Sequence, residues 1–227
     1  PIFTKETPEN EKTIHAEYAA EMARMLVYDI FREETYTRGL NVYTTIRDKD
    51  QIAAWEAVRK HLIAYDRKYR YRGPSGRIDI SDEQTRDDTI RLALHKAKSS
   101  DNLDPAVVTE LTDKTFKAVV LDGKELKTLD LDADSRKFAG KYLTNKVAKE
   151  KRLQPGSIIR VSRVKKGWTL SQIPEVQAGF ISVNFDTGAV KSLVGGFDFY
   201  LNMFNHVTQA LRQPGSSFKP FIYSACL

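Results

Sequence analysis

Ser216 and Lys219 lie three residues apart near the carboxyl end of the chain. They belong to the run Gln213-Pro214-Gly215-Ser216-Ser217-Phe218-Lys219. Proline and glycine predict a turn, and the apolar helix formers that follow predict a helix, on which residues three apart share one face. A serine hydroxyl becomes a nucleophile when a base lies within hydrogen-bond reach, and a neutral lysine can be that base. A helix N-terminus and burial both lower the pKa of an ammonium, so the pattern favours nucleophilic chemistry.

The same residue types also have structural explanations. Ser216 could instead be a helix N-cap, because serine is among the preferred capping residues. Ser162 and Lys165 repeat the spacing within an alternating, β-branched run that predicts a strand over Ser157–Val164. In a strand, residues i and i+3 point to opposite faces, so Ser162 is predicted to be structural.

The histidines and the single cysteine predict no metal site and no cofactor. None of the histidines pairs with another histidine or a cysteine at ligand spacing; they are His15, His61, His95 and His206. A serine–histidine relay from His206 is an alternative, but Lys219 has the better placement. Cys226 excludes an internal disulfide and is predicted to be a packed, small apolar residue.

Composition and charge indicate an ordinary globular chain. Its 227 residues are 41% hydrophobic and 29% charged, which suits one or two compact domains and does not indicate disorder. The net charge of +6 is compatible with binding to nucleic acid, an anionic membrane or an acidic polymer, but favours a solvated surface. Tyr65–Arg72 interleaves rings and cations; we interpret it as an exposed linker and expect no nucleic-acid partner. No apolar run reaches the length of a membrane span.

The amino-terminal elements are predicted from periodicity. Apolar residues at helical spacing predict an amphipathic helix over 10–33, and alternation predicts a strand over Leu40–Ile46. Asp48 is predicted to cap a second helix, with Gln51 at the capping-box position.

The middle of the chain predicts short strands with one helix among them. The predicted elements are a charged helix over Asp82–Ala97, a hairpin of Phe116–Leu121 and Lys124–Leu131 turning at Asp122-Gly123, a helix over Lys137–Lys149, and strands over Ser157–Val164 and Trp168–Ile173. This pattern fits a small OB-like barrel. Pro174 marks a boundary, after which a second hairpin is predicted over Gln177–Phe185 and Ala189–Val194.

Two regions carry a resemblance to a known family. The run leading to the serine resembles that of penicillin-binding transpeptidases, in Gly188–Gly196 and Phe204–Phe221. Tyr36–Ile46, followed by Gln51–Ala54, resembles the linker of bifunctional class A penicillin-binding proteins. Tyr65-Asp66-Arg67 and Tyr71-Arg72-Gly73 resemble the 1a type. The likeness is close over residues 15–73 and 176–227 and loose between them.

This resemblance implies an α+β fold with linker helices and a strand, an OB-like β-barrel insert, and the opening strands and nucleophile helix of a penicillin-binding/β-lactamase-like transpeptidase domain. The implied domains are a linker and pedestal (1–73), the OB-like insert (74–175) and a truncated transpeptidase part (176–227). The implied activity is peptidoglycan crosslinking by a serine D-Ala-D-Ala transpeptidase, with Ser216 as acyl-ester nucleophile and Lys219 as general base. Stem peptides would be substrates and β-lactams inhibitors.

The resemblance also implies properties of a longer parent protein. A glycosyltransferase and a single-pass membrane anchor would lie upstream of this chain. The anchored parent protein would work on the periplasmic side of the bacterial inner membrane. A periplasmic regulatory protein is an expected partner of the OB-like insert.

The chain departs from the superfamily signature, which adds Ser-Asp-Asn and Lys-Thr-Gly to Ser-x-x-Lys. Ser100-Asp101-Asn102 precedes the nucleophile, so we interpret it as a polar loop. Lys-Thr-Gly does not occur. We therefore expect the fragment to be inactive alone. The alternatives are a non-catalytic OB-like binding module, in which Ser216 is only a cap, and a structural spacer.

Overall fold

The computed structural model describes residues 14–165 and 167–226. The described residues form an α+β fold, with one six-stranded and one two-stranded sheet. In chain order the helices and strands are α1 (Glu17–Phe31), α2 (Asp48–Arg67), β1 (Gly76–Arg77), α3 (Arg86–Lys96), β2 (Asp104–Leu111), β3 (Phe116–Asp122), β4 (Glu125–Asp130), α4 (Ala133–Ala139), β5 (Ser157–Val164), β6 (Gly167–Ser171), β7 (Phe180–Val183), β8 (Val190–Val194) and α5 (Lys219–Ala225).

Contacts divide the chain into two units. One unit comprises Pro1–Lys60 and Gln177–Leu227, and the other comprises His61–Val176. The domain boundaries at 73 and 175 stay a prediction. No helix among the described residues is long and apolar enough to cross a membrane.

In the first unit, the predicted amphipathic helix is confirmed as α1, while residues 10–13 lie outside the described residues. Tyr18 and Ala19 are buried and pack with Leu193 of β8. The second hairpin is confirmed as β7 and β8. Its turn contains Gly188 at a φ of 71°, a left-handed conformation that glycine adopts without steric cost.

The predicted strand over Leu40–Ile46 is wrong, because no strand forms there. The segment meets β8 only near its end, where the Arg47 N–H donates to the Lys191 carbonyl at 2.9 Å and the Thr45 hydroxyl to the Val190 carbonyl at 2.7 Å. Tyr43, near its middle, is 92% exposed. Alternation alone does not make a strand without a partner along its length.

Helix α2 begins one residue earlier than predicted, because Asp48 is its first residue instead of its cap, and the Gln51 N–H donates to the Arg47 carbonyl at 2.9 Å. The predicted capping box is also wrong. Gln51 is fully buried, and its side chain bonds to the main chain of His15 and Leu193. The amide therefore stabilises tertiary structure instead of the helix end.

In the second unit, the sheet has the antiparallel order β1-β5-β2-β3-β4, with β6 also paired to β5. A bridge between Leu131 and Trp168 joins the end of β4 to β6. The Asp132 N–H also donates to the Trp168 carbonyl at 3.1 Å. These contacts curl the sheet into a small, partly closed barrel of the expected OB-like kind.

Strand β2 was not predicted from the sequence, although it lies in the middle of this sheet. Ala106 and Val108 pack on the inner face, and Val107 packs on the outer face with Ile90 and Leu94 of α3. Because both faces are buried, the strand reads as a continuous apolar run instead of an alternating one.

Three other predictions need adjustment. The β3–β4 turn is Gly123-Lys124 instead of Asp122-Gly123, because Asp122 pairs with Glu125. The helix expected over Lys137–Lys149 is instead α4, which starts at Ala133 because the carboxylate of Asp132 accepts from the Ser135 N–H at 2.8 Å.

The third adjustment concerns the predicted exposed linker over Tyr65–Arg72. It is wrong at Asp66 and Tyr71, which are each 3% exposed. The remaining predictions in this region, α3, β5 and β6, are confirmed, with Lys166 of the β5–β6 turn outside the described residues.

Candidate active site

The Ser-x-x-Lys segment is wound, as the sequence predicts. Gly215–Phe218 forms a 3₁₀ turn that continues directly into α5. Gly215 has a φ of 53°, and the Ser217 N–H donates to the Pro214 carbonyl at 3.1 Å. Pro220 lies in the first turn of α5, where its missing N–H leaves no helical bond unmade. Glycine and proline thus set the start of the helix.

Ser216 and Lys219 lie three residues apart, with Ser216 in this turn and Lys219 at the first position of α5. The Lys219 N–H donates to the Ser216 carbonyl, which closes the 3₁₀ turn between them. In a 3₁₀ helix, side chains at i and i+3 eclipse, so the backbone favours the same side for both residues. Both residues are exposed, and neither side chain hydrogen-bonds within residues 14–165 and 167–226. The burial expected around the lysine is therefore absent from the described part of the chain.

The main-chain N–H of Ser216 is available for a ligand. It has no acceptor among the described residues, as expected for the first N–H groups of a helix. A free N–H beside a nucleophilic hydroxyl is suited to stabilising an oxyanion.

The other candidates from the sequence have structural roles. The Nδ1 of His206 donates to the Gly195 carbonyl at 2.7 Å, and the His206 N–H donates to the same oxygen at 2.8 Å. Ser162 lies in the β5–β6 ladder opposite Thr169. Ser100-Asp101-Asn102 forms a tight turn, with a bridge from Ser100 to Leu103. Cys226 is exposed, so its predicted packing is wrong.

Arg59 supports the segment that follows β8. It donates to the Phe197 carbonyl at 3.0 Å, and its guanidinium lies 4.1 Å from the Phe197 ring centre. The same group approaches Asp198 at 3.8 Å, with both side chains under a tenth exposed. Trp55 provides a second ring at 5.0 Å. A buried cation held by a carboxylate, a carbonyl and two rings fixes this segment firmly.

Tyr18 supports the same segment from α1. Its hydroxyl donates to the Asn202 carbonyl at 2.6 Å. Gly195 and Gly196 pack against the ring, and a Cβ at either position would lie 2.5 Å from a Tyr18 atom. Burial, together with the charges of Asp198 and Glu17, raises the pKa of Tyr18 to about 12. The hydroxyl therefore remains a donor at physiological pH.

Comparison with known proteins decides the family. Penicillin-binding protein 1A from Neisseria lactamica is 42% identical over 210 residues, which is 92% of this chain and 26% of that protein. Penicillin-binding protein 1A from Pseudomonas aeruginosa is 41% identical over 230 residues, covering 98% of this chain and 26% of that protein. The 2.6 Å crystal structure of penicillin-binding protein 1A from Haemophilus influenzae matches 97% of this chain and 31% of its own, with a TM-score of 0.80 and 31% identity.

The chain belongs with the class A penicillin-binding proteins of the 1a type. The resemblance inferred from the sequence is thereby confirmed. A family profile described as the penicillin-binding protein OB-like domain matches residues 71–176, which confirms the OB-like fold of the second unit. The chain spans about a quarter of the length of the curated relatives it matches.

Three residues that position the main chain of this penicillin-binding protein were not recognised from the sequence. They are Gln51, Arg59 and Tyr18. All three are buried polar side chains that hold the main chain on the approach to Ser216. The signal was present for Gln51 and Arg59, because Gln51 lies three residues before the buried Ala54 and Arg59 lies three residues before the buried Leu62 of α2. A polar residue on an apolar stripe is unusual and predicts a buried partner.

Proposed function

We propose that this chain contributes the nucleophile of a serine-type D-Ala-D-Ala transpeptidase to a peptidoglycan-synthesising penicillin-binding protein. The observation that carries the proposal is the wound segment in which Ser216, in the 3₁₀ turn over Gly215–Phe218, lies one turn before Lys219, the first residue of α5. The kinship with penicillin-binding proteins of the 1a type supports the same assignment. The resemblance of the surrounding residues to the family's serine motif supports the choice of Ser216 over the chain's other serines.

The proposed reaction is acyl transfer in two steps. The neutral amine of Lys219 takes the hydroxyl proton of Ser216, and the serine oxygen attacks the carbonyl between two terminal D-alanines of a stem peptide. The carbon–nitrogen bond breaks, the departing D-alanine takes the proton, and an ester to Ser216 remains. The amine of a neighbouring stem peptide then attacks this ester, which forms the crosslink and restores the hydroxyl.

The Ser216 N–H would be one donor to the oxyanion formed at each step. A second donor and the groups that surround Lys219 would come from the rest of the parent protein. We therefore expect the fragment alone to be inactive. β-Lactams would acylate Ser216 by mimicking the terminal D-alanyl-D-alanine, and the product ester would block the site.

We further propose that the parent protein has an upstream glycosyltransferase and a single-pass anchor, and works on the periplasmic side of the bacterial inner membrane. We also propose that a periplasmic regulatory protein docks on the OB-like unit. The wound serine segment favours a catalytic role over a structural spacer.

Covalent labelling of the full-length parent by a fluorescent penicillin tests the nucleophile. Ser216→Ala should abolish labelling, whereas Ser217→Ala and Ser162→Ala should retain it. The neighbouring Ser217 is the matched control, since it occupies the same turn. Persistent labelling of the Ser216→Ala protein, with its folding intact, would refute the proposal.

A further inference from the structure

The second unit contains a cavity that the proposed transpeptidase chemistry does not use. Its volume is about 560 Å³, within the range typical of ligand sites. Its wall is formed on one side by the segment from Arg67 to Tyr71, at and after the end of α2. The other side is formed by residues 134–142, from α4 and the 3₁₀ turn Gly140–Leu143 that follows it.

Positive charge surrounds this cavity. Its lining contains a single carboxylate, from Asp134, against five cationic side chains. The cations are Arg67, Lys68, Arg70, Lys137 and Lys141. The side chains of Lys68, Arg70 and Lys137 form no ion pair within residues 14–165 and 167–226. The uncompensated charge favours an anionic ligand, with more than one acidic group.

The floor of the cavity is aromatic. The ring of Tyr71 lies 5.5 Å from that of Phe138 and 5.4 Å from that of Tyr142, centre to centre. The Arg67 guanidinium covers the Phe138 ring at 4.2 Å and donates to the Leu170 carbonyl at 2.8 Å, which holds this wall in place. Tyr71 and Tyr142 are buried, so Phe138 provides the accessible ring of this wall, which is suited to packing against a large apolar or aromatic side chain.

Tyr71 also has an unused hydrogen-bonding group. The residue is 3% exposed, and its buried hydroxyl has no hydrogen-bond partner among the described residues. Buried polar groups are nearly always paired, and this hydroxyl has less than 1 Å² of accessible surface, so a partner reaches it only when the side chains that cover it move aside. Burial, followed by the effect of Tyr142, raises the pKa of Tyr71, so the hydroxyl stays protonated and can donate to an anion.

We propose that this cavity binds an acidic peptide that carries a large apolar side chain. The carboxylates lie beside the lysines and arginines of the cavity, and the apolar side chain packs against Phe138. The side chains that cover the Tyr71 hydroxyl move aside, and one peptide oxygen then accepts from it. The site is independent of Ser216, so its test does not depend on transpeptidase activity.

Nucleic acid fits the cavity less well. Single-stranded nucleic acid requires a groove of cations that follows the backbone over several nucleotides. Here the cations line a single cavity. Tyr71 and Tyr142 are buried, so the rings do not form an exposed row on which successive bases could stack. A short peptide with one anchoring side chain matches this shape.

Titration of the isotope-labelled chain with acetyl-Glu-Glu-Phe-Glu-Glu-amide, followed by NMR, tests the proposal. We expect saturable shifts confined to the residues that line the cavity, and weaker binding at higher salt. Replacing the glutamates by glutamines, or the phenylalanine by alanine, should each weaken the binding. The double variant Lys137→Glu/Lys141→Glu should weaken it about tenfold. Lys124→Glu/Lys149→Glu, which reverses two exposed lysines outside the cavity, should not.

Tyr71→Phe separates binding from folding. The hydroxyl has no internal partner, so its removal should leave the stability of the second unit unchanged while weakening peptide binding about three- to tenfold. Undiminished binding by Tyr71→Phe would contradict the proposal. Equal losses in the two double-lysine variants, or preference for an oligothymidine over the peptide at matched charge, would overturn it as well.

Discussion

The side-chain amide of Gln51 pairs with both main-chain groups of Leu193. Its Nε2 donates to the Leu193 carbonyl at 3.0 Å, and its Oε1 accepts from the Leu193 N–H at 2.8 Å. The same Nε2 donates to the His15 carbonyl at 2.7 Å. One side chain of α2 thus pairs with the main chain of β8 and ties it to His15, two residues before α1 begins. Gln51 thereby connects α2, β8 and the start of α1, all of which precede the serine segment.

Gln51→Ala should destabilise the first unit by about 2–4 kcal/mol, because it removes the side chain that pairs with both main-chain groups of Leu193 and bonds to the His15 carbonyl in a buried setting. Urea unfolding of the chain would measure the loss. Glu56→Ala, on the exposed side of the same helix, provides the control and should change stability by less than about 0.5 kcal/mol. Similar losses in the two variants would show that the pairing contributes little.

If Lys219 is the general base, Lys219→Ala in the parent protein should slow acylation by a fluorescent penicillin about a hundredfold or more. Lys219→Arg should be equally slow, because a guanidinium keeps its proton and cannot accept another. Lys165→Ala, in the other Ser-x-x-Lys match, serves as the control. Near-normal acylation by the arginine variant would assign Lys219 an electrostatic role instead.

The raised pKa of Tyr18 makes the first unit sensitive to alkali. In the unfolded chain the phenol ionises near its ordinary value of 10, whereas in the folded chain it ionises at about 12. The stability that this difference contributes is fully present below pH 10 and is lost as the pH rises to 12, by about 2–3 kcal/mol. Tyr18→Phe should remove this part of the pH dependence in denaturant titrations, and Tyr43→Phe should preserve it. An unchanged alkaline slope for Tyr18→Phe would contradict the prediction.

Asp66 joins the two ends of the second unit. Its carboxylate accepts from Arg72 Nη1 at 2.9 and 3.0 Å, from Gln172 Nε2 at 2.7 Å and from the Glu175 N–H at 3.2 Å. Asp66→Ala should therefore cost about 2–3 kcal/mol, a value reduced for the partial exposure of Arg72. Thermal unfolding of this variant should be compared with that of Asp113→Ala, which alters an exposed turn.

Gly156 is required by both conformation and space. Its φ is 87°, and a Cβ there would lie 2.2 Å from the Ile78 carbonyl oxygen. Gly123 also has a positive φ, of 62°, but nothing lies within 4 Å of the corresponding Cβ. Gly123→Ala should cost about 1 kcal/mol from backbone strain alone, and Gly156→Ala about 3 kcal/mol or more. Equal unfolding free energies for the two variants would argue against the close approach.

The elements that the sequence predicted correctly depend on local residues. The α1 helix follows from apolar spacing, the β7–β8 turn from Gly188, and the winding at Ser216 from Pro214 and Gly215. Each of these signals acts within one or two turns of chain. Two errors in strand assignment had non-local causes: β2 lost its alternation through burial on both faces, and Leu40–Ile46 had the alternation but no ladder partner.

The family, the α+β class and the wound Ser-x-x-Lys segment can be predicted from the order of residues, because a motif and its helix are specified by neighbouring residues. Which buried polar groups meet can be seen only in the folded chain. Gln51 could be a cap or a tertiary partner, and only the position of Leu193 selects between these roles. Likewise, the basic run around Tyr71 becomes a cavity only because α4 folds against it. Hydrogen bonds and packing between residues far apart in the chain depend on three-dimensional proximity, which spacing along the chain does not encode.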